Sequence, residues 1–258
     1  MPASKLAVIT TLTFVGACSP TRFDWPDGPG AAFRDYRQSF ADAAGQRLVE
    51  AVDRHALLRR ARAAGALWLG DHHRHSRLHA LQTELLDQLV RDGADLLLGL
   101  EAIGVRDQPM VDDYLEGRID MRALRSGMRT RWSGSWLDDP ELDPWFFRSL
   151  LTFARQHRIP VFALEPTPRL PLARRDEYIA RTVAAACRRH KDRLPVVLVG
   201  QSHLKGIGDV VARSGVGGLV LGGLPTAGLQ RIAPGDGDRG TVWRSDGDVY
   251  WFDEMFDR

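Results

Sequence analysis

Leu67-Trp68-Leu69-Gly70-Asp71-His72-His73-Arg74-His75 is a short apolar segment that stops at a glycine and then delivers a carboxylate and a cluster of histidines. A buried strand followed by a polar site at its end reads this way. The pattern recurs: Leu96-Leu97-Leu98-Gly99-Leu100 leads to Glu101, Pro160-Val161-Phe162-Ala163-Leu164 leads to Glu165, and Pro195-Val196-Val197-Leu198-Val199 leads through Gly200-Gln201-Ser202 to His203. Ligands of open α/β sheets bind in the crevice beyond the carboxyl ends of the strands. Apolar runs that each end in a titratable residue therefore point to one convergent site.

Around these runs the chain alternates. Residues 33–64 have approximately helical spacing of Val49, Val52, Ala56, Leu57 and Leu58, so one helical stretch is expected there. After the run at Leu67, apolar residues at 78, 81, 85, 86 and 89 mark an amphipathic helix that ends near Asp92-Gly93, and a strand over 95–100 follows. Strand, helix, strand makes a βαβ unit, whose crossover sets the two strands parallel. Residues 105–145 form a helical, tryptophan-rich insertion between the second and third strands, carrying Trp132, Trp136 and Trp145. Large aromatics of this kind cover a core more often than they line a ligand. Further helices over 146–157, 176–191 and 207–214 feed strands at 160–164, 195–199 and 218–221, and residues 240–252 read as a hairpin around Asp246-Gly247. The expected fold is α/β, with a mostly parallel central sheet, helices on both faces and a C-terminal hairpin.

Composition narrows the class. The chain has 258 residues, 44% hydrophobic and 26% charged, with a formal net charge of +2, as expected of one globular domain. Its basic residues are not gathered on one face, so no nucleic-acid partner is expected. The N-terminus differs: Lys5, the apolar stretch 6–15 and Val15-Gly16-Ala17-Cys18 read as a signal peptide over 1–17, closing in a tetrapeptide that resembles a lipobox. Cleavage before Cys18 and acylation of its thiol are expected. Residues 18–32, with Pro20, Pro26 and Pro29, read as a tether, and 33–258 as a single domain. An acylated Cys18 would hold that domain at a lipid bilayer, making it an exported lipoprotein of the cell envelope. Ser19 favours the outer membrane in a Gram-negative source. The other cysteine, Cys187, lies in a helix-like stretch, where a small buried thiol is expected, so neither a zinc ribbon nor a redox CxxC can be built.

Two chemistries can be assembled from the strand ends. Asp71, His73, Glu101 and His203 are a sufficient ligand set for a divalent metal such as zinc, manganese or iron, which keeps an open position for water. The same four residues are the candidate catalytic groups. His75 and His79, four apart, share a face if the helix begins early, and Gln82 continues that face. His72 is expected to point away and lie at the surface. Glu101 and Glu165 serve as base, ligand or supporting acceptor, or else pair with Arg106 and Arg169. Gly200-Gln201-Ser202-His203-Leu204 lacks the G-x-S-x-G of a nucleophile elbow, which excludes that serine hydrolase class, and no G-x-G-x-x-G precedes a helix.

The ordered set of these pieces resembles the ChaN-like family of the Tiki, TraB and erythromycin-esterase superfamily. Leu69-Gly70-Asp71-His72-His73 with His79 and Gln82 is similar to the family's Gly-Glu-x-His strand end and helical His and Gln. Gly99-Leu100-Glu101, Tyr114-Leu115-Glu116-Gly117-Arg118-Ile119, Trp132, Trp136, the stretch 153–161 and Gly200-Gln201-Ser202-His203 resemble later family segments in order. Asp71 stands in place of the usual Glu, one methylene shorter, and Glu165 where Asn is common. The resemblance implies a membrane-tethered haem-binding lipoprotein of haem or iron uptake, with Tyr114, His75 and His79 as candidate haem-contacting residues. A homodimer is the assembly expected if haem lies between protomers. It also implies an alternative: a hydrolase of a small ester or peptide, either metal-dependent or with a histidine base, using the same pocket. Gln82, Glu165 and Gln201 complete that pocket in either case. Whether the chain is an enzyme is left open at this level.

Overall fold

The computed structural model describes residues 30–128, 136–223, 230–231 and 242–252. The proposed signal peptide, Cys18, most of the tether and Trp132 lie outside the described residues. Helix α1 spans Gly30–Ala43, β1 Arg47–Val52, α2 Arg54–Ala63, β2 Leu67–Asp71, α3 Ser76–Arg91 and β3 Leu96–Gly104. Then follow α4 (Gln108–Leu115), α5 (Met121–Gly127), α6 (Pro144–Gln156), β4 (Val161–Glu165), α7 (Leu172–Arg189), β5 (Leu194–Gly200) and α8 (Val210–Ser214). The chain ends in β6 (Leu219–Gly222), β7 (Gln230–Arg231), β8 (Val242–Ser245) and β9 (Tyr250–Phe252).

Among the described residues the strands form one sheet in the order β4-β3-β5-β2-β6-β9-β8-β1-β7. Every neighbouring pair is parallel except those made by β8, which runs against both β9 and β1. The mostly parallel α/β sheet expected from the sequence is therefore present, and the C-terminal residues form the expected hairpin, β8–β9. Because parallel strands are covered on both faces, their sequences are apolar almost throughout: β2 and β3 are buried at every position.

Alternation divides the strand side chains between two cores. Leu67, Leu69, Leu98, Leu100, Val196 and Leu198 pack with α2 to α6 on one face. Trp68, Val197, Val199 and Val220 pack with α1, α7 and α8 on the other. Trp136 belongs to the first core, at 3% exposure, whereas Trp145 is 72% exposed. Among the described residues no helix is long and apolar enough to cross a membrane.

One expectation fails clearly. The single helical stretch over 33–64 is α1, β1 and α2, and α1 begins at Gly30, inside the expected tether. Val49 and Val52 suit a helix stripe locally, but β1 pairs antiparallel with β8, some two hundred residues away in the chain, from Leu48↔Ser245 to Val52↔Val242. Two turns interlock to permit this. Gly45, at φ +84°, sits where a Cβ would lie 2.3 Å from the Gly247 nitrogen, and a Cβ on Gly247 would lie 2.2 Å from the Ala44 carbonyl carbon. Neither turn tolerates a side chain there. The Asp246 carboxylate locks the crossing by accepting from the Gln46 and Arg47 amides at 3.0 and 3.1 Å.

Candidate functional site

The four apolar runs read from the sequence are the four adjacent strands β4, β3, β5 and β2, and their carboxyl ends form one rim. Asp71 lies in register with Gly200 across β2 and β5, and Leu100 with Leu198 across β3 and β5. Asp71, Glu101, Glu165 and His203 are all buried there, at 3%, 5%, 2% and 3% exposure.

Strand alternation splits these residues between the two faces. On the α3–α6 face, Asp71 Oδ2 binds His73 Nδ1 at 2.7 Å and Oδ1 binds His79 Nε2 at 3.0 Å. Asp143 Oδ2 meets His79 Nδ1 at 2.7 Å, from a left-handed residue (φ +50°) that also caps α6. His79 is stacked on Phe146 with centroids 3.8 Å apart, so its ring is fixed on every side. Gln82 donates to the Gly70 carbonyl at 3.0 Å and pins the strand end to α3. Burial by itself would raise the Asp71 carboxyl, but His73 and His79 outweigh it and hold the group well below the usual carboxylate range. His73 is partly exposed, its ring meeting Trp136 edge-on at 5.0 Å.

On the α1–α7 face, helix α7 inserts two charged neighbours into the rim. The Arg175 guanidinium bridges the strand-end glutamates, pairing with Glu101 and, through Nε, with Glu165 Oε2 at 2.8 Å. Burial lowers Arg175 to about 10, which leaves it protonated at neutral pH. Glu101 Oε2 also accepts from the Gly200 amide at 2.6 Å. Asp176 Oδ1 meets His203 Nδ1 at 2.6 Å. Burial lowers the His203 ring below its ordinary value, against the opposing pull of Asp176, so the imidazole is neutral at pH 7. Tyr36 of α1 packs edge-on to that ring at 5.8 Å. Its phenol is pushed up to about 12 by burial and then by the Asp176 charge.

Several expected roles need correction. The expected metal set of Asp71, His73, Glu101 and His203 is not supported: among the described residues no group of three or more His, Cys, Asp or Glu is placed to hold an ion. The physical reason is alternation and prior commitment. Asp71 turns to the α3 face and uses both oxygens on imidazoles, while Glu101 turns to α7 and a guanidinium. Tyr114 does not present its oxygen to a ligand; it is 3% exposed between α4 and α6, with its hydroxyl 3.2 Å from Thr152 Oγ1. His75 precedes α3 as its N-cap, Nδ1 accepting from the Leu78 amide at 3.0 Å, so it does not share a helical face with His79. His79 is likewise enclosed, with both ring nitrogens committed. His72 is buried at 7%, not a surface residue. Gln201 braces the rim by accepting from the Gly223 amide at 3.2 Å. The expected Arg169 partner of Glu165 stands at 3.7 Å, a looser contact than Arg175 makes.

Arg175, Asp176 and Asp143 were not read from the sequence. A signal for the first two exists: the apolar stripe Ile179, Ala180, Val183 and Ala186 of α7, extended back one turn, falls on Arg175 and Asp176. Charges on the buried stripe of a helix need buried partners. A cleft of about 770 Å³, lined by Asp42, Gln46, Arg47 and Asp246, lies at the opposite, amino-terminal end of β1, away from these groups.

Residues 57–171 match the family described as haem-binding uptake, Tiki superfamily, ChaN. The resemblance read from the motif order holds over that segment, which spans β2 to β4 and stops before α7. Among solved structures, the chain is similar to ChaN of Campylobacter jejuni, described with cofacial haem, at 10% identity and TM-score 0.46, covering 78% of this chain and 95% of that one. It is similar to RRSP, a MARTX toxin effector domain from Vibrio vulnificus CMCP6, at 17% identity and TM-score 0.42, covering 89% and 42%. It is also similar to the C-terminal region of Pasteurella multocida toxin, described with a thiol-protease-like catalytic triad, at 13% identity and TM-score 0.41, covering 57% and 20%. The chain thus spans about a fifth of the latter toxin and about two fifths of the former. No curated protein matches the chain.

Proposed function

We propose that this protein binds haem at the α3–α6 side of the strand-end rim, as a component of haem or iron uptake. The observation that carries the reading is the match of residues 57–171 to a haem-binding uptake family, a segment that includes Asp71, His73 and Trp136. A haem site asks for an axial nitrogen or oxygen, a flat apolar wall and cations for the propionates. His73 fits the first by residue type and place: it is partly exposed, and Asp71 on Nδ1 orients the ring. Trp136 supplies an aromatic edge beside it, and the exposed Arg74 and Arg77 lie close in the chain to receive carboxylates. Tyr114 and His79, enclosed as described, do not fit. Bound haem would supply an iron centre; the protein's part is to orient His73 and to shield one porphyrin face. Titration of the purified chain with haemin tests this. A Soret shift is expected, weakened about tenfold or more in His73→Ala, and a wild-type spectrum equal to that of free haemin would end the reading.

Tethering belongs to the same proposal. Acylation at Cys18 would place the domain at an envelope membrane, the outer one in a Gram-negative cell, and a haem shared between two protomers would make a homodimer. Radiolabelled palmitate incorporated by the wild type and lost in Cys18→Ala is the expected result.

A second reading is favoured by one specific observation. His203 is neutral and bonded through Nδ1 to the buried Asp176, the arrangement of a histidine general base. It supports hydrolysis of a small ester or peptide without a metal. Hydrolysis of p-nitrophenyl acetate in the presence of a chelator, lost in His203→Ala, is the outcome that reading requires.

A further inference from the structure

Helix α1 holds the loop that follows β5 at two points. Ser39 Oγ accepts from the Ile207 amide at 2.8 Å, and Gly206, at φ +73°, leaves room for that hydroxyl: a Cβ there would lie 2.4 Å from it. One turn earlier, and so on the same side of the helix, Tyr36 sets its ring edge-on to His203 at 5.8 Å. The two contacts bracket residues 203–207, so α1 fixes where the His203 imidazole stands.

Tyr36 carries a hydroxyl that this packing leaves in need of a partner. The residue is 6% exposed, and its Oη is buried without a hydrogen-bond partner. Asp176 has the matching deficit. It is 0% exposed; Oδ1 meets His203 Nδ1 at 2.6 Å, while Oδ2 is buried without a partner. A buried donor and a buried acceptor are each costly to leave unpaired. Both groups flank the same imidazole, and Asp176 acts on the phenol as a charge and as an acceptor. The other charges that reach the phenol, Arg213 and Arg175, are donors committed elsewhere. Arg213 donates to the Ile207 carbonyl at 3.0 Å, and Arg175 pairs with Glu101 and Glu165.

We infer that the Tyr36 hydroxyl is the donor to Asp176 Oδ2, directly or relayed by one water, and that Tyr36 is a positioning residue for His203 acting through that carboxylate. With one oxygen on the phenol and the other on the imidazole, the carboxylate is held against rotation. His203 then keeps its proton on Nδ1 and its lone pair on Nε2, the form a general base requires. A second donor also spreads the carboxylate charge, so Asp176 grips the imidazole less tightly than it would alone. This deepens the hydrolytic reading and rests on it for its use. Tyr36, Asp176 and His203 all lie outside the segment 57–171, so the inference is independent of haem.

The link can be read without a substrate, from the His203 Nδ1 proton in NMR spectra of the full chain carrying ¹⁵N-histidine at neutral pH, in chelator. Tyr36→Phe keeps the ring and its edge contact and should fold. Relieved of its second donor, Asp176 should bind the imidazole more strongly, and the Nδ1 proton should move downfield. In an Asp176→Asn background the same change should move it little, because the carboxylate that carries the effect is gone. 3-Fluorotyrosine incorporated in place of tyrosine makes the phenol a stronger donor. It should move the proton upfield in the wild type and leave it in place in Tyr36→Phe, which reads the link even if Asp176→Asn does not fold. A proton that Tyr36→Phe leaves unmoved or moves upfield would overturn the inference. So would an equal shift with Asn at 176, or a fluorotyrosine shift that survives Tyr36→Phe. With the spectra as expected but no p-nitrophenyl acetate hydrolysis above that of His203→Ala, the link stands and the hydrolytic reading falls. None of these variants changes His73, so haemin titration of the same samples reports on the haem reading separately.

Discussion

Arg175 is 2% exposed and is the cation between Glu101 and Glu165, two carboxylates contributed by neighbouring strands. Removing one member of a buried ionic set leaves the others uncompensated, at a cost of roughly 3–5 kcal/mol. Arg175→Ala is expected to lose stability on that scale in urea unfolding at neutral pH. Glu165→Gln should lose clearly less, because Arg175 then still has Glu101. His72 carries a different consequence. Burial, then the neighbouring His75, lowers its ring from 6.5 to about 4, so the folded protein resists a proton that the unfolded chain accepts. Stability from this ring is complete above pH 6.5 and declines as pH falls from 6.5 towards 4, by up to about 3 kcal/mol. His72→Phe should flatten that part of a plot of unfolding free energy against pH. Asp71 acts lower: its depressed carboxyl contributes stability that is lost only as pH falls below 3.8.

At the scale of elements, the hairpin β8–β9 decides how the sheet is completed. Trp243 and Trp251 oppose each other across it and are 0% and 1% exposed. Trp251 meets Phe40 of α1 edge-on at 6.0 Å and lies against Gly222 of β6, where a Cβ would come within 2.7 Å of the indole. It therefore ties α1 and the end of β6 to the hairpin. Truncation of a buried tryptophan costs about 3–5 kcal/mol. Trp251→Ala should lower the thermal midpoint accordingly and broaden the near-ultraviolet circular dichroism. The same elements show where the sequence was opaque. β2 to β5 are continuous apolar runs bounded by glycine or proline and by titratable residues, and were legible. β1 was not, because Val49 and Val52 satisfy a helical spacing and only the distant β8 supplies the hydrogen bonds of a strand.

Across the whole molecule, the amino-terminal α1–β1 unit closes on the carboxy-terminal hairpin through Gly45, Gly247 and Asp246, and α1 in turn sets Tyr36 against His203. The rim thus depends on a junction at the other end of the sheet. A chain ending at Gly223 would lack β8 and β9, leaving β1 without its antiparallel partner and β6 as an open edge. Such a chain is expected to melt without cooperativity or to aggregate, while the full chain gives a single sharp transition.

The amino-acid sequence alone determined the class of fold, the central strands and the fact that their ends carry Asp71, Glu101, Glu165 and His203. Apolar periodicity and the residue that ends each run are local properties, so they can be read without knowing what lies beside them. Only the tertiary structure decided which partners those groups have. Asp143 reaches His79, Arg175 reaches both glutamates and Asp176 reaches His203, through contacts that spacing along the chain does not encode. The turn of each strand end to one face or the other then gave Asp71 and Glu101 different partners, because successive side chains of a strand face opposite ways.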